Sequence, residues 1–300
     1  MFLYIITLMF SGYNYFDYKY NIPGYSGQDY DNGRIIFMFS SLGLTLILLF
    51  VLYFTIKDKK KFTDIFLKVL GISMTAFYVI KTTWESYFDI TTGRGFNLGI
   101  LPFDTCSIVM WAGLLSGFAK GKLKKIGDCW IATGGIVGGL SNILYLRALK
   151  YYPFFTFGAQ YSMLWHFGMF FAGLWLIVSN YIKLDFKSVI YAFLFHMGIS
   201  LIVIPFDYIN DYDFMLYRHA GGAPLIEDLA DILSKNNLEW VTTIIMIVLY
   251  FALFVGIIYV SLGIKKLIHL SGVLIKRITR KDINSDDINR SSQEQEEQNI

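Results

Sequence analysis

The chain has 300 residues, 55% of them hydrophobic and only 16% charged, where soluble domains carry about a quarter charged residues. A mean hydropathy of +0.49 and recurring apolar runs of roughly 18 or more residues exclude an ordinary soluble domain and imply a multi-pass membrane protein. The formal charge of +3 is too small to argue for a nucleic-acid partner, and two cysteines, Cys106 and Cys129, cannot build a disulfide framework.

Residues 1–34 open with MFLYIITLMF, too short to span and without the basic start and small-residue cleavage site of a signal peptide. The aromatic, polar stretch after it reads as an interfacial lead-in. Seven spans follow, at 35–56, 64–88, 98–119, 126–148, 156–180, 186–206 and 240–263, giving an all-α bundle over residues 35–263. GGIVGG (134–139) in span four reads as close helix packing. No internal repeat is visible, and the apolar runs show neither a helix break near mid-membrane nor the paired broken helices of transporter halves.

Charge orients the spans. Lys57, Lys59, Lys60 and Lys61 follow span one, Lys120, Lys122, Lys124 and Lys125 follow span three, and Lys183 and Lys187 flank the turn after span five. The alternate loops hold few basic residues, so the N-terminus is expected outside and the C-terminus in the cytoplasm. The loop 207–239 carries PLIEDLADIL, a short amphipathic helix that Pro224 can start. Residues 264–281 are basic and apolar, which suits a helix on an anionic inner leaflet. Residues 282–300 are polar and are expected to be disordered.

Ionisable groups inside spans are expensive and are therefore functional candidates. Lys81 and Glu85 stand four apart near the outer end of span two, where they can pair. Asp104 and Cys106 fall in the outer third of span three, Gln160, Ser162 and His166 in the outer half of span five, and Asp207 at the same level from span six. Each has a plain alternative: a helix-end ion pair, a first-turn acid, a small buried thiol, a packed histidine. Asp128 and Cys129 lie at the opposite end, and His196 sits near the middle of span six. Asp207, Asp211, Asp213 and His219 cluster in sequence but lack an EF-hand spacing, so no metal site and no cofactor are expected.

Trp84, LPFDTCSIVMWAGLL (101–115), FFTFGAQYSMLWHFGMFFAGLWLI (154–177) and DYINDYDFMLYR (207–218) together resemble the bacterial YwaF-like integral membrane family, which is related to the eukaryotic transmembrane protein 164. The chain departs from that pattern in three places. Asp104 or its neighbour Phe103 stands where the family has a His, Asp211-Tyr212 where it has Asn-Tyr, and SGQDY (26–30) where many members have Gly-x-x-His. The resemblance implies a lipid acyltransferase, with Cys106 as nucleophile and His166 as its basic partner. Asp104, Gln160 and Asp207 would be candidates to orient the histidine, with Lys81, Trp84, Glu85 and Ser162 around the pocket.

On that reading membrane phospholipids are the partners, the acceptor enters from the outer leaflet, and the protein sits in a plasma membrane, a bacterial one suiting the composition. A hydrolase would use the same residues with water as acceptor. The alternative is a non-enzymatic seven-span transporter or receptor-like sensor, with Lys81 and Glu85 as charged pocket groups. The sequence names no protein partner.

Overall fold

The structure, a computed structural model, describes residues 14–19, 25–27, 30–220 and 224–297, with side chains for all but 224, 225, 268, 269 and 271–297. Gln28 and Asp29 of SGQDY, the Gly221-Gly222-Ala223 stretch, most side chains of the 264–281 segment and all those of the 282–300 tail therefore lie outside the described residues. No strand occurs among the described residues.

Seven segments are long and apolar enough to cross a bilayer: Tyr30–Thr55, Lys59–Thr91, Leu98–Phe118, Gly121–Lys150, Phe157–Val178, Phe186–Asn210 and Glu239–Leu267. They match the seven spans expected from hydropathy, and the chain is a multi-pass membrane protein. The helices are α1 (Tyr30–Thr55), α2 (Lys59–Thr91), α3 (Ile108–Phe118), α4 (Gly121–Trp130), α5 (Ile136–Leu144), α6 (Phe157–Val178), α7 (Phe186–Asn210), α8 (Pro224–Lys235) and α9 (Glu239–Glu297). Residues up to Ile258 form one compact unit and Tyr259–Ile300 another. The backbone of α9 stays helical through the basic segment and on to Glu297, in a stretch that contains no proline.

The centre of the bundle is α4, α5 and α6. About two thirds of the Gly121–Lys150 window is buried (67%) and 61% of the Phe157–Val178 window, against 22% for α1. The reason lies in side-chain size. A Cβ added at Gly139 of α5 would stand 2.6 Å from the Phe170 Cβ and 2.8 Å from the His166 carbonyl oxygen, so only glycine lets α6 approach this closely. A single π-helical turn, Ile131–Gly135, joins α4 to α5 and absorbs one extra residue without ending the span. The outer helices turn Phe39, Leu46, Ile47 and Phe50 of α1 and Ile72, Val79 and Ile80 of α2 outward, as lipid-facing side chains.

Two features differ from the sequence expectation. The third span is not one helix. Leu98–Ile100 and Thr105–Ser107 are single 3-10 turns, Leu101 and Asp104 are extended, and α-helix begins only at Ile108. With 11 residues, α3 rises roughly 16 Å, about half of a hydrocarbon core near 30 Å thick. The expectation of no break near mid-membrane is thus corrected. Pro102 follows an extended Leu101, and a residue before proline avoids the α region. The second difference is the loop after α7, which does not stay at the surface. Phe214, Met215, Tyr217, Arg218 and Ala220 are all buried.

Candidate active site

Backbone without helical hydrogen bonds survives at membrane depth only where protein or a water-filled recess satisfies it. Residues 98–107 are held by hydrogen bonds and ring packing from five elements: α2, α6, α7, the loop after α7, and α9. The Tyr78 hydroxyl of α2 donates to the Ile100 carbonyl. The Trp165 indole N–H of α6 donates to the Cys106 carbonyl at 3.1 Å. Thr105 Oγ1 meets the Tyr250 hydroxyl of α9 at 2.8 Å, and that hydroxyl in turn donates to the Met215 carbonyl at 3.0 Å. The Phe103 ring lies 5.5 Å from both Phe206 and Phe214. The bend is a built feature, anchored from every side.

Within it Cys106 is a free, half-buried thiol, and Asp104 two residues earlier is exposed. Cys106 precedes the end of α3 at Phe118 by 12 residues, and His166 precedes the end of α6 at Val178 by 12. Both therefore lie roughly 18 Å from the lysine-bearing end of the bundle.

His166 is buried. Its Nδ1 is 2.7 Å from the Ser162 carbonyl oxygen and 3.3 Å from the Ser162 hydroxyl, while its Nε2 has no hydrogen-bond partner. A carbonyl only accepts, so Nδ1 carries the proton and the Nε2 lone pair is bare. No hydrogen bond joins Cys106 to His166 in this arrangement.

The remaining expected residues separate into three groups. Lys81 and Glu85 do pair, at 2.6 Å. The Trp84 indole donates to the Phe16 carbonyl at 3.2 Å and its ring meets Tyr18 and Phe157 edge-on, which fastens residues 14–19 to the bundle. The three candidates to orient His166 make no hydrogen bond to it. Gln160 donates to the Phe154 carbonyl at 2.8 Å. Asp207 is fully buried with neither carboxylate oxygen hydrogen-bonded. Asp104 makes no capping bond at its turn. The orienting group is the backbone of Ser162, one turn back on the same helix.

The buried loop brings in residues that sequence reasoning did not single out. The Arg218 guanidinium donates to Glu239 through Nε and Nη2 at 3.0 and 2.8 Å, to Asp211 at 2.9 Å and to the Asp207 carbonyl at 3.1 Å. Burial alone would lower its pKa, but the bonds to Glu239 and Asp211 hold it above the usual arginine value. Asp213 Oδ1 accepts from the backbone N–H of Arg218 and of His219. The acidic cluster is thus a tether for Arg218. No group of three metal-ligating side chains occurs among the described residues.

Tyr217 closes a second circuit. Its hydroxyl is 2.6 Å from Ser200 Oγ and 3.3 Å from His196 Nε2, and Ser200 Oγ donates to the His196 carbonyl at 2.9 Å. Every donor is satisfied if His196 Nε2–H donates to Tyr217 and Tyr217 to Ser200. Burial pushes the Tyr217 phenol up to about 12, so it remains a donor at neutral pH.

The sequence profile of the TMEM164 family matches residues 30–259. The chain belongs to the TMEM164 family. No curated protein and no solved structure matches it. The matched range begins with α1 and ends within the seventh span, so the bent Leu98–Ser107 segment, His166 and the buried loop all lie inside this TMEM164-family region. A sequence signal for the bend was present in Leu-Pro-Phe-Asp, a proline between apolar residues before an acid. The signal for the tether was Arg218 standing alone among Asp207, Asp211 and Asp213.

Proposed function

We propose that this TMEM164-family protein is a membrane-embedded acyltransferase that carries an acyl group from a phospholipid as a thioester on Cys106. The observation that supports this most directly is the pairing of two unusual states at one depth. A free thiol sits on an unwound, half-open segment, and a buried imidazole presents its bare Nε2 lone pair on the adjoining helix. Unwinding a span has an energetic cost in lipid, and the bend places the thiol in a single 3-10 turn before α3, where it is only half-buried.

The reaction balances on these two groups. As Cys106 Sγ attacks the ester carbonyl, its proton passes to His166 Nε2, and the leaving glycerol oxygen takes that proton as the C–O bond breaks. In the second half the acceptor hydroxyl, on a lysophospholipid, gives its proton to Nε2 while its oxygen attacks the thioester carbonyl. The departing thiolate then recovers the proton. The Cys106 side chain must swing to within hydrogen-bond reach of Nε2 for transfer, since the two are not bonded at rest. Asp104, exposed beside the thiol, and the Lys81–Glu85 pair mark a polar path for a headgroup toward the 207–239 end. The positive-inside rule makes that end the outer one, in a plasma membrane.

The test is intact-mass analysis of the purified protein incubated with a phospholipid donor, wild type beside Cys106→Ser. The expected result is an acyl adduct on the wild type alone that hydroxylamine releases. An adduct that persists in Cys106→Ser, or none with any of several donors on folded protein, overturns the proposal.

A further inference from the structure

At the lysine-bearing end a cavity of about 640 Å³ opens between the start of α2, the α3–α4 turn and the α6–α7 turn. Its wall carries Lys60, Lys124, Lys125 and Lys183 against two acids, Asp128 and Asp185. Both acids are already engaged. Asp128 accepts from Ser116 Oγ at 2.7 Å and from Lys124 at 3.2 Å, and Asp185 accepts from the backbone N–H and the hydroxyl of Ser188, each at 2.8 Å.

Lys124 is spent on Asp128 and on the Ser116 carbonyl. Lys60, Lys125 and Lys183 make no ion pair among the described residues. Lys125 rests over the Tyr191 ring at 5.5 Å, a contact that leaves its N–H donors available. Gly121 lines the same cavity and opens α4 with no side-chain cap, so the first-turn N–H groups there have no side-chain acceptor. Asn180, in a left-handed turn at φ 55°, completes the wall.

Lysines at this end follow from membrane topology alone, but topology does not gather them around a cavity. Here three chain segments, far apart in sequence, place exposed lysines on the wall of one open cavity at the depth where the spans end, with three of the four outside any ion pair among the described residues. That space is larger than a bare ion needs. We propose that this cavity binds a phosphate group, borne either by an anionic lipid headgroup of the adjoining leaflet or by a free phosphorylated solute. The site is separate from Cys106 and does not depend on the acyl-transfer reading.

The test uses the full chain purified in detergent and stripped of lipid. Native mass spectrometry measures retention of a phosphatidylinositol phosphate against phosphatidylcholine, and a thermal titration with inorganic phosphate runs in parallel. Wild type is expected to retain one phosphoinositide selectively. Lys60→Gln/Lys125→Gln/Lys183→Gln is expected to weaken retention at least about tenfold. Lys57→Gln/Lys61→Gln/Lys122→Gln, which removes equal charge from the same end but outside the cavity, is expected to change it less than about twofold. Asn180→Asp, nearly isosteric, places a negative charge in the wall and should weaken binding several-fold without loss of folding.

Stabilisation by inorganic phosphate with the same variant pattern, but no lipid retention, assigns the site to a free solute. Lipid retention with no effect of phosphate assigns it to a headgroup. Equal losses in the two triple variants, or no binding of either probe by wild type, overturn the proposal.

Discussion

The His166 ring donates from Nδ1 to the carbonyl oxygen of Ser162 at 2.7 Å, one turn back along α6. That bond fixes the tautomer without any acidic residue. A histidine held by a carboxylate gains basicity from the charge, whereas one held by a carbonyl keeps a neutral partner and an unassisted lone pair. The His166 environment is therefore set by helix geometry, and mutation of side chains nearby should separate those that matter from those that do not.

His166→Ala should slow formation of the Cys106 adduct by about 10²–10⁴-fold, the usual contribution of a positioned base. Gln160→Ala should leave the rate within about threefold, because its amide serves the Phe154 carbonyl and not the imidazole. Time-resolved intact-mass measurement of both variants decides this. A large loss in Gln160→Ala with His166→Ala unaffected would show that the proton is taken elsewhere.

The close approach of α5 and α6 gives a second outcome. Gly139→Ala puts a methyl group within van der Waals overlap of the Phe170 Cβ and the His166 carbonyl. Both neighbours are near-rigid parts of a helix, so the helices must separate. The expected loss is about 1–3 kcal/mol, read as a lower melting temperature in detergent. Because the displaced backbone belongs to His166 itself, adduct formation should fall further than Ala substitutions at lipid-facing Leu46 or Val79 would make it fall.

Arg218 is the third. It is buried beneath the loop after α7 and donates to Glu239, Asp211 and the Asp207 carbonyl. Arg218→Met removes all of these and leaves Glu239, itself partly buried, without its counter-charge. Removing one member of such a pair costs about 3 kcal/mol or more, and Arg218→Lys should recover only part because an ammonium cannot fork onto Glu239. Asp211 is largely exposed, and Asp211→Ala should therefore lower the melting temperature much less. Thermal unfolding of the three variants ranks them directly.

How far the sequence disclosed this arrangement depended on the kind of signal. The seven spans were legible because an apolar run long enough to cross lipid has no soluble alternative, and the chain's membership of the TMEM164 family was visible in the segments around Cys106 and His166. The bend at 98–107 was not. Hydropathy is blind to backbone conformation, and Leu101, Phe103 and Ile108 read as apolar whether helical or extended. Pro102 was the one local sign, and it equally fits a first helical turn. The links Trp165 to Cys106, Tyr250 to Thr105 and Arg218 to Glu239 span 59, 145 and 21 residues. Nothing in local pattern brings such residues together, so Trp165, Tyr250 and Arg218 emerge only from packing. The expected orienting role of Asp104, Gln160 or Asp207 came from shared depth, and depth does not specify which face of a helix a side chain leaves.

Asp185, at the start of α7, supports a pH-dependent outcome. Its carboxylate accepts from the Ser188 hydroxyl and the Ser188 N–H, and these bonds hold its pKa below the ordinary carboxylate value. A folded-state pKa lower than the unfolded one means the stabilisation is present in full above the unfolded value. It is lost as the pH falls through the folded one. At neutral pH Asp185→Ala should cost about 1 kcal/mol, as for removal of a helix cap. Below the usual carboxylate range, near pH 4, the wild-type side chain becomes protonated and its advantage shrinks, so the melting temperatures of the two proteins should converge on acidification. A gap that stays constant from neutral pH to pH 3 would mean the cap acts without its charge. A gap that widens would place the stabilising form on the protonated side and reverse the sign of the linkage.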